Sequence, residues 1–445
     1  MAGARAGWAQ IDITPPLGLP MGGRGSRFTP GAEVLDPLLA QALVVEDATG
    51  RRMLWISLDM IGMSYHATSQ MRYELMMATG IAFDAIVINA SHTHSGPMTG
   101  FEGYATLMPK PAKMQAYETG LIGKTVRMVN EAIDRLAPAT VSAHRGQSHI
   151  GINRRRRDAD GQIGMGPDPE GFYNPDLWVL DVVAGDARCV VFSYGCHPVL
   201  VYGYAYDGIS ADWPGVCRDR LQVALGPKVQ TQFIQGLAGN VRPRQVADLA
   251  QGIFRKPTTA EDHVATGSEL AEDVMSALRE NGEVLALELA AVSGWALAPR
   301  DLAKVPPLEY WQELAARDDE LSRNVGAYWT DRITSAWLPV PVVPWSIGLM
   351  RLAPGHRIAW MSGEPLAEWL GHLREWLQDD RLVGWGYCQD GRCYMPTDEI
   401  IPEGGYEVGP SNTYNKSGPA PFAVGINQAA REAFLALDDR LSRDT

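Results

Sequence analysis

Several features are scarce or missing from this 445-residue chain, and each gap narrows its chemistry. Only five cysteines occur, Cys189, Cys196, Cys217, Cys388 and Cys393, and none forms a CxxC pair. That argues against a zinc ribbon and fits free thiols in a reducing compartment. No stretch approaches the roughly 18 uninterrupted apolar residues of a membrane span. The opening MAGARAGWAQIDITPP lacks the apolar core of a secretion signal. The expectation is a soluble, cytoplasmic protein. Positive charge is in deficit: 39 Lys and Arg against 52 Asp and Glu leave a net charge of −13. Phosphate backbones are bound by clustered cations, so a nucleic-acid partner is not expected. A small substrate is still allowed, since one local Arg can outvote the global field. HExxH, P-loop and GxSxG patterns are absent. No internal repeat or low-complexity tract is visible.

What remains is a globular balance, with 46% hydrophobic and 20% charged residues, rather than a disordered one. Apolar runs ending in polar or Gly-rich residues read as buried strands. They are Met53–Asp59, Ala85–Ala90, Cys189–Tyr194, Thr231–Gln235 and Arg357–Met361. Helical spacing marks Ser69–Thr79, Lys113–Leu136, Thr259–Glu280, Pro307–Leu321, Pro365–Leu377 and Ala420–Leu441. The mixture predicts an α/β fold, with α+β as the other option. Length alone would allow two or three domains. The segments 145–175 and 299–345 read as long loops or insertions in one large domain over 1–445, because neither looks like a flexible linker. The Gly-rich run Met21–Ser26 follows no clear strand and reads as a surface turn rather than a dinucleotide cradle.

The informative polar residues stand at strand ends. Ala85–Ala90 runs into Ser91-His92-Thr93-His94-Ser95-Gly96-Pro97. Residues i and i+2 of an extended chain point the same way, so His92 and His94 can reach one metal ion. Two loop histidines bonded to backbone would show the same pattern. His197 follows Cys189–Tyr194, and Glu364 follows Arg357–Met361 just before a helix, where a carboxylate can also serve the helix N-terminus. Three histidines and one carboxylate form a chemically sensible zinc set, and α/β sheets gather sites at strand ends. Asp59 could orient a ligating histidine or cap its loop. The turn at Gly239-Asn240 could offer backbone N–H groups to an anion.

These residues and their neighbours resemble the neutral/alkaline non-lysosomal ceramidase family, in its N-terminal catalytic domain. The matching segments keep chain order. They are Ile11-Asp12-Ile13-Thr14-Pro15-Pro16 with Met21-Gly22, Asn89–Pro97 with its HTHSGP core, and Ile152-Asn153-Arg154 with Asn174-Pro175. Cys196-His197-Pro198, Ser210–Gly215, Gly363-Glu364-Pro365 and Tyr394–Glu399 with Tyr406-Glu407 and Gly409-Pro410 complete the set. The resemblance implies one zinc per chain on His92, His94, His197, Glu364 and Tyr394, with Tyr387 as a nearby competitor for the last place. It also exposes a departure. The family carries a serine in a GDVSPN-like turn, whereas Gly239-Asn240-Val241-Arg242-Pro243-Arg244 places Arg242 there. A guanidinium is no nucleophile, but it binds carboxylate or phosphate bidentately. The chain also ends near where the family's immunoglobulin-like domain would begin.

The expected function is hydrolysis of a linear or cyclic amide in a substrate smaller and more polar or anionic than ceramide. Zinc would polarise the carbonyl and acidify water. His149 or Asp212 would move the proton, and Tyr394 would donate to the oxyanion. Arg242, Arg154 and Asn240 would bind substrate, although Arg154–Arg157 also reads as a solvated charge run. An esterase, lactonase or phosphoesterase at the same site is the second option, and a metal-binding protein without turnover the third. The Trp-rich segment 337–345 would suit the interface of a homo-oligomer or a lid.

Overall fold

The computed structural model describes residues 3–23, 29–99, 111–335, 339–391, 393–414 and 418–443. It is a mixed α/β fold in which one order of elements occurs three times. Three successive antiparallel strands are followed by a crossover helix, a fourth strand parallel to the third, and a long helix. The first set is Arg5–Asp12, Leu39–Glu46, Arg52–Leu58, helix Tyr65–Thr79, strand Ile86–Ala90 and helix Ala112–Asp134. The second is Thr140–Gln147, Asp176–Ala184, Ala187–Tyr194, helix Asp212–Leu225, strand Val229–Gln235 and helix Glu261–Arg279. The third is Ala290–Pro299, Val342–Ala353, His356–Met361, helix Trp369–Trp376, strand Val383–Trp385 and helix Ile426–Arg443. In space each sheet runs fourth, third, second, first. The third and fourth strands pair in parallel in all three. Each long helix covers the first two strands of its own sheet.

The sequence hides this repetition. A sheet needs apolar residues at the right period and a crossover needs a helix, but neither needs particular side chains. Local signals were enough to place single elements. Ser64 caps the first crossover helix by accepting from Ala67 N at 3.2 Å, and Gly80 closes it at φ 71°.

Topology explains where a site can form. The first, third and fourth strands of each set run the same way, so their carboxyl ends lie at one end of the sheet. The connections after the first strands, 13–38, 148–175 and 300–341, leave from that same end. The fourth strands of the three sets then meet one another. Bridges join Asn89 to Cys388 and Gly236 to Trp385. Buried Asn89 donates Nδ2 to Gly386 O at 2.7 Å and Gln235 O at 3.2 Å, and its Oδ1 accepts from Gln235 N at 2.9 Å. Beneath them one indole from each set packs edge to face. Trp55 lies 5.0 Å from Trp385 and 6.2 Å from Trp178, centroid to centroid. This core joins all three sheets.

Two expected loops are ordered structure. Within 145–175, the strand Gly151–Arg157 pairs with Ile163–Asp168 on one side and with Val241–Pro243 on the other. Arg154 and Arg155 are only 4% and 5% exposed, because Glu407 receives both, at 2.8 and 2.7 Å. The expected solvated charge run is therefore half buried, with its compensating carboxylate about 250 residues away. Within 299–345, the single helix expected over Pro307–Leu321 is a helical hairpin, Leu308–Ala315 and Glu320–Thr334. Its helices close around Trp311, Leu314, Leu321, Val325 and Trp329. Asp319 starts the second helix by accepting from Ser322 N at 2.8 Å. The Trp- and Pro-rich segment is neither lid nor loop from Val342 onward; it opens a strand paired with Ala290–Pro299, and Trp345 is buried. Residues 337–338 of that segment, and 24–26 of the Gly-rich run, lie outside the described residues. Among the described residues, no helix is long and apolar enough to cross a membrane.

Candidate metal centre

The three sets deliver their strand-end residues to one place. His92 and His94 follow the fourth strand of the first set. His197 and Glu364 each stand three residues past the third strand of their own sets. Gly195 permits the approach: a Cβ there would lie 2.5 Å from Leu237 O, so only glycine lets the two strand ends come together ahead of His197. Gly363, at φ 73°, makes the turn that presents Glu364.

Each of the three histidines has Nδ1 on a backbone carbonyl. His92 Nδ1 lies 2.6 Å from Ile61 O, His94 Nδ1 2.7 Å from Gly23 O, and His197 Nδ1 2.8 Å from Ala238 O. A carbonyl only accepts, so Nδ1 carries the proton and Nε2 keeps its lone pair. Those lone pairs converge, with one ligand atom from each histidine within 4.8 Å of the others. His92 Nε2 is 3.3 Å from His94 Nε2 and 3.2 Å from Glu364 Oε2, and His197 Nε2 is 3.3 Å from the same oxygen. Four acceptor atoms this close repel one another unless a cation lies between them. Tetrahedral zinc with bonds of about 2.0–2.1 Å spaces neighbouring ligands about 3.3–3.4 Å apart, so the donor set fits that ion.

The electrostatics agree. Burial, followed by the fields of His92 and His197, holds His94 well below the ordinary imidazole range. Burial and the neighbouring Arg154 lower His197 to about 4. Burial opposes the charge on Glu364, yet His92 and His197 outweigh it and hold the carboxyl well below its usual range. A metal ion requires an unprotonated imidazole nitrogen and an ionised carboxylate, and the directions at His94, His197 and Glu364 run that way. His92 itself has φ 65°, and Tyr387 has φ 54°. Each stands two residues past a fourth strand, and their rings are 4.4 Å apart. Such backbone conformations carry a cost that a function can explain.

Tyr394 is paired in register with Glu364 and stacks along His197 at 6.5 Å. Tyr387 is also at the cluster, 6.1 Å from His197, and its buried hydroxyl has no hydrogen-bond partner among the described residues. Burial and then Glu364 raise both phenols well above their ordinary range, so both remain neutral donors. Arg154 brings Nη1 to 3.4 Å from His197 Nε2. Burial works against its charge, but Tyr394 and Glu407 push its pKa up.

Other expected residues take different positions. Asp212 is not placed to move a proton. Its Oδ2 accepts from Leu200 N and Val201 N, both at 2.8 Å, and its Oδ1 accepts from Trp213 N at 2.7 Å. Those bonds build the turn behind His197 and use both oxygens. His149 is exposed, pairs with the Tyr173 hydroxyl at 2.8 Å and touches none of the cluster. Asn240 is buried and its side-chain amide is engaged within the fold. Its Nδ2 donates to the Glu368 carboxylate at 2.8 Å, and its Oδ1 accepts from Ala367 N at 2.9 Å. The Gly239 N–H is likewise used, by Pro365 O at 2.9 Å, which removes the expected anion turn. Asp59 forms an ion pair with Arg218 at 2.6 Å, and a backbone carbonyl does the histidine-orienting work instead. Arg242 lies beside the cluster, with Nη2 3.4 Å from the Tyr202 hydroxyl; Tyr202 in turn stacks on His94 at 5.9 Å. Glu368 and Tyr202 were not singled out from the sequence, and Glu407 stood there only within a matching segment, with no role of its own. Their roles depend on partners more than 100 residues away or on burial, and neither leaves a local pattern.

No protein-family profile matches the chain, and no curated protein sequence does. Solved structures do. The neutral ceramidase of Pseudomonas aeruginosa superposes with a TM-score of 0.72 at 19% identity, over 99% of this chain and 75% of that one. A structure described as a ceramidase complexed with C2 gives 0.72 at 17% identity, over 100% of this chain and 76% of that one. The chain therefore has a ceramidase-like fold from end to end.

Proposed function

We propose that this chain is a zinc-dependent hydrolase that cleaves a linear or cyclic amide bond in a small molecule. One zinc ion per chain would be held by His92, His94, His197 and Glu364, with Tyr394 at its side. The observation that carries this reading is the convergence of three Nε2 lone pairs and one carboxylate oxygen, each Nδ1 being fixed on a carbonyl. The ceramidase-like fold supports an amide as the bond attacked.

Zinc bound there supplies Lewis-acid polarisation of a carbonyl and a water acidified to a pKa of about 7. The protein's own groups supply the rest. Backbone carbonyls hold each imidazole in the ligating tautomer. Arg154, fixed by Glu407, places positive charge beside His197, where it favours negative charge developing on a bound carbonyl oxygen. The Tyr387 hydroxyl has no partner among the described residues to give up before it donates to that oxygen. Burial keeps these interactions strong by excluding water.

The test has two arms. Purified protein is expected to contain about one zinc per chain by elemental analysis, and the double variant His92→Ala/His94→Ala to contain almost none while keeping its circular dichroism. Stoichiometric zinc in that variant would overturn the site. The zinc-loaded protein is then offered amides, esters, lactones and phosphoesters. Selective amide cleavage supports the reading, selective cleavage of another class replaces it, and no turnover of any member refutes it in favour of a binding protein.

A further inference from the structure

Among the described residues Arg242 is a cation without a counter-charge, and its buried Nε has no hydrogen-bond partner there. Among the described residues no carboxylate pairs with it; Nη1 meets Met165 Sδ at 3.6 Å and Nη2 meets the Tyr202 hydroxyl at 3.4 Å. Its guanidinium carbon lies 4.7 Å above the Phe254 ring. The contrast with its neighbours is sharp. Arg154 and Arg155, on the adjacent strand, share Glu407, and Arg218 has Asp59. Arg242 is half-buried, and a guanidinium there with no carboxylate beside it can take an anion, its fork matching two oxygens. The position is also specific. Arg242 follows Val241, whose carbonyl lies 3.1 Å from His197 Nδ1. The Tyr202 ring, stacked on His94, holds its hydroxyl against Arg242 Nη2.

We propose that Arg242 and the Tyr202 hydroxyl form the recognition site for an oxyanion carried by the substrate, a carboxylate or a phosphate, beside His94 of the proposed metal centre. This rests on the hydrolase reading for what the anion is attached to, but not for the anion site itself. The substrate class it names is a short acidic amide, of the N-acyl amino acid or N-acyl aminoalkyl phosphate type. Phe254 and Met165 would shield the ion pair from water.

Binding, not turnover, tests it. Calorimetry on zinc-loaded and zinc-free protein would use N-acetylglycine, its methyl ester and N-acetyl-2-aminoethyl phosphate. The expected result is binding of at least one anion in both forms and none of the ester at the same concentrations, with the preferred anion separating carboxylate from phosphate. Arg242→Gln and Tyr202→Phe are each expected to weaken the anion, the first by about tenfold or more, as loss of a charge-assisted hydrogen bond requires. Arg242→Lys should restore part of it. Equal binding of acid and ester, no binding of either anion, or unchanged affinity in Arg242→Gln would overturn the proposal. If Arg242→Gln does not fold, unchanged affinity in Tyr202→Phe overturns it instead. An anion that binds through Arg242 while no amide is cleaved would leave the site standing and sink the hydrolase reading alone.

Discussion

Glu368 offers a test of how the site is held in place. It caps the start of the helix Trp369–Trp376, one turn beyond Glu364, and its carboxylate receives both bonds from Asn240 Nδ2, at 2.8 and 2.9 Å. Asn240 O in turn accepts from Arg154 N at 2.9 Å. This chain of bonds ties the turn that orients His197 to the turn that presents Glu364. Burial raises the Glu368 carboxyl from its ordinary 4.5 to about 7, against the smaller lowering effects of its own backbone and Asn240. At about 1.4 kcal/mol per tenfold, ionising it inside the fold costs on the order of 3 kcal/mol. The sign follows from linkage. The folded carboxyl binds its proton more tightly than the unfolded one, so its stabilisation is complete below pH 4.5 and is lost as pH rises through 7. Between pH 5.5 and 8.5 the loss amounts to about 2 kcal/mol.

Glu368→Gln removes the titration and keeps an oxygen for Asn240. Any fixed cost of the new amide is the same at every pH, so the slope, not the offset, carries the information. Thermal unfolding of both proteins, zinc-free, would be followed at pH 5.5, 7 and 8.5. For a cooperative chain of this length, about 2 kcal/mol corresponds to roughly 2 °C in Tm. The wild type is expected to lose that much more than Glu368→Gln across the range, as a double difference in which all other groups cancel. Parallel pH profiles for the two proteins would refute the reasoning and show that Glu368 is ionised without penalty.

Two further substitutions probe the joints between the three sets. Asn89→Ala strands Gln235 N and leaves Gly386 O with only the weak Cys388 thiol donor, while Gln235 O keeps Gly386 N; at about 1–3 kcal/mol per orphaned group the cost should be on the order of 2–3 kcal/mol. Urea unfolding measures it, and a loss under about 1 kcal/mol would mean that the fourth strands are held by packing alone. Gly195→Ala drives a methyl against Leu237 O, which is backbone and cannot swing away. Zinc affinity, read by competition with a chelator, should fall about tenfold or more while the far-UV spectrum is kept; unchanged affinity would show that the His197 turn tolerates separation from its neighbour.

Much of the element pattern was legible because period and caps are local. The strand Met53–Asp59 is observed at Arg52–Leu58, and the helix Lys113–Leu136 at Ala112–Asp134. The polar strand ends were legible too, since an apolar run that stops at a histidine or glutamate stands out in any α/β chain. What stayed hidden depends on distance. The threefold repetition resides in topology, which many unrelated side chains satisfy. The Arg154–Arg157 run looked solvated because its compensation comes from Glu403 and Glu407, far down the chain. Asp212 looked like a catalytic acid because nothing local reveals that three backbone amides already occupy it.

The same logic explains why the site sits where it does. Each set alone brings at most part of the proposed ligand shell: His92 and His94 from the first, His197 from the second, Glu364 and Tyr394 from the third. Assembling the shell therefore requires all three sheets to be folded and docked through Asn89, Gln235 and the Trp55, Trp178 and Trp385 cluster. Metal binding would then be coupled to that docking rather than to the folding of any one set. Loss of zinc should loosen the junction between the sets before it loosens their individual sheets. Hydrogen exchange with and without chelator would read this directly, as faster exchange at 89–92, 235–241 and 385–390 while the central strands Leu39–Glu46 and Asp176–Ala184 stay protected.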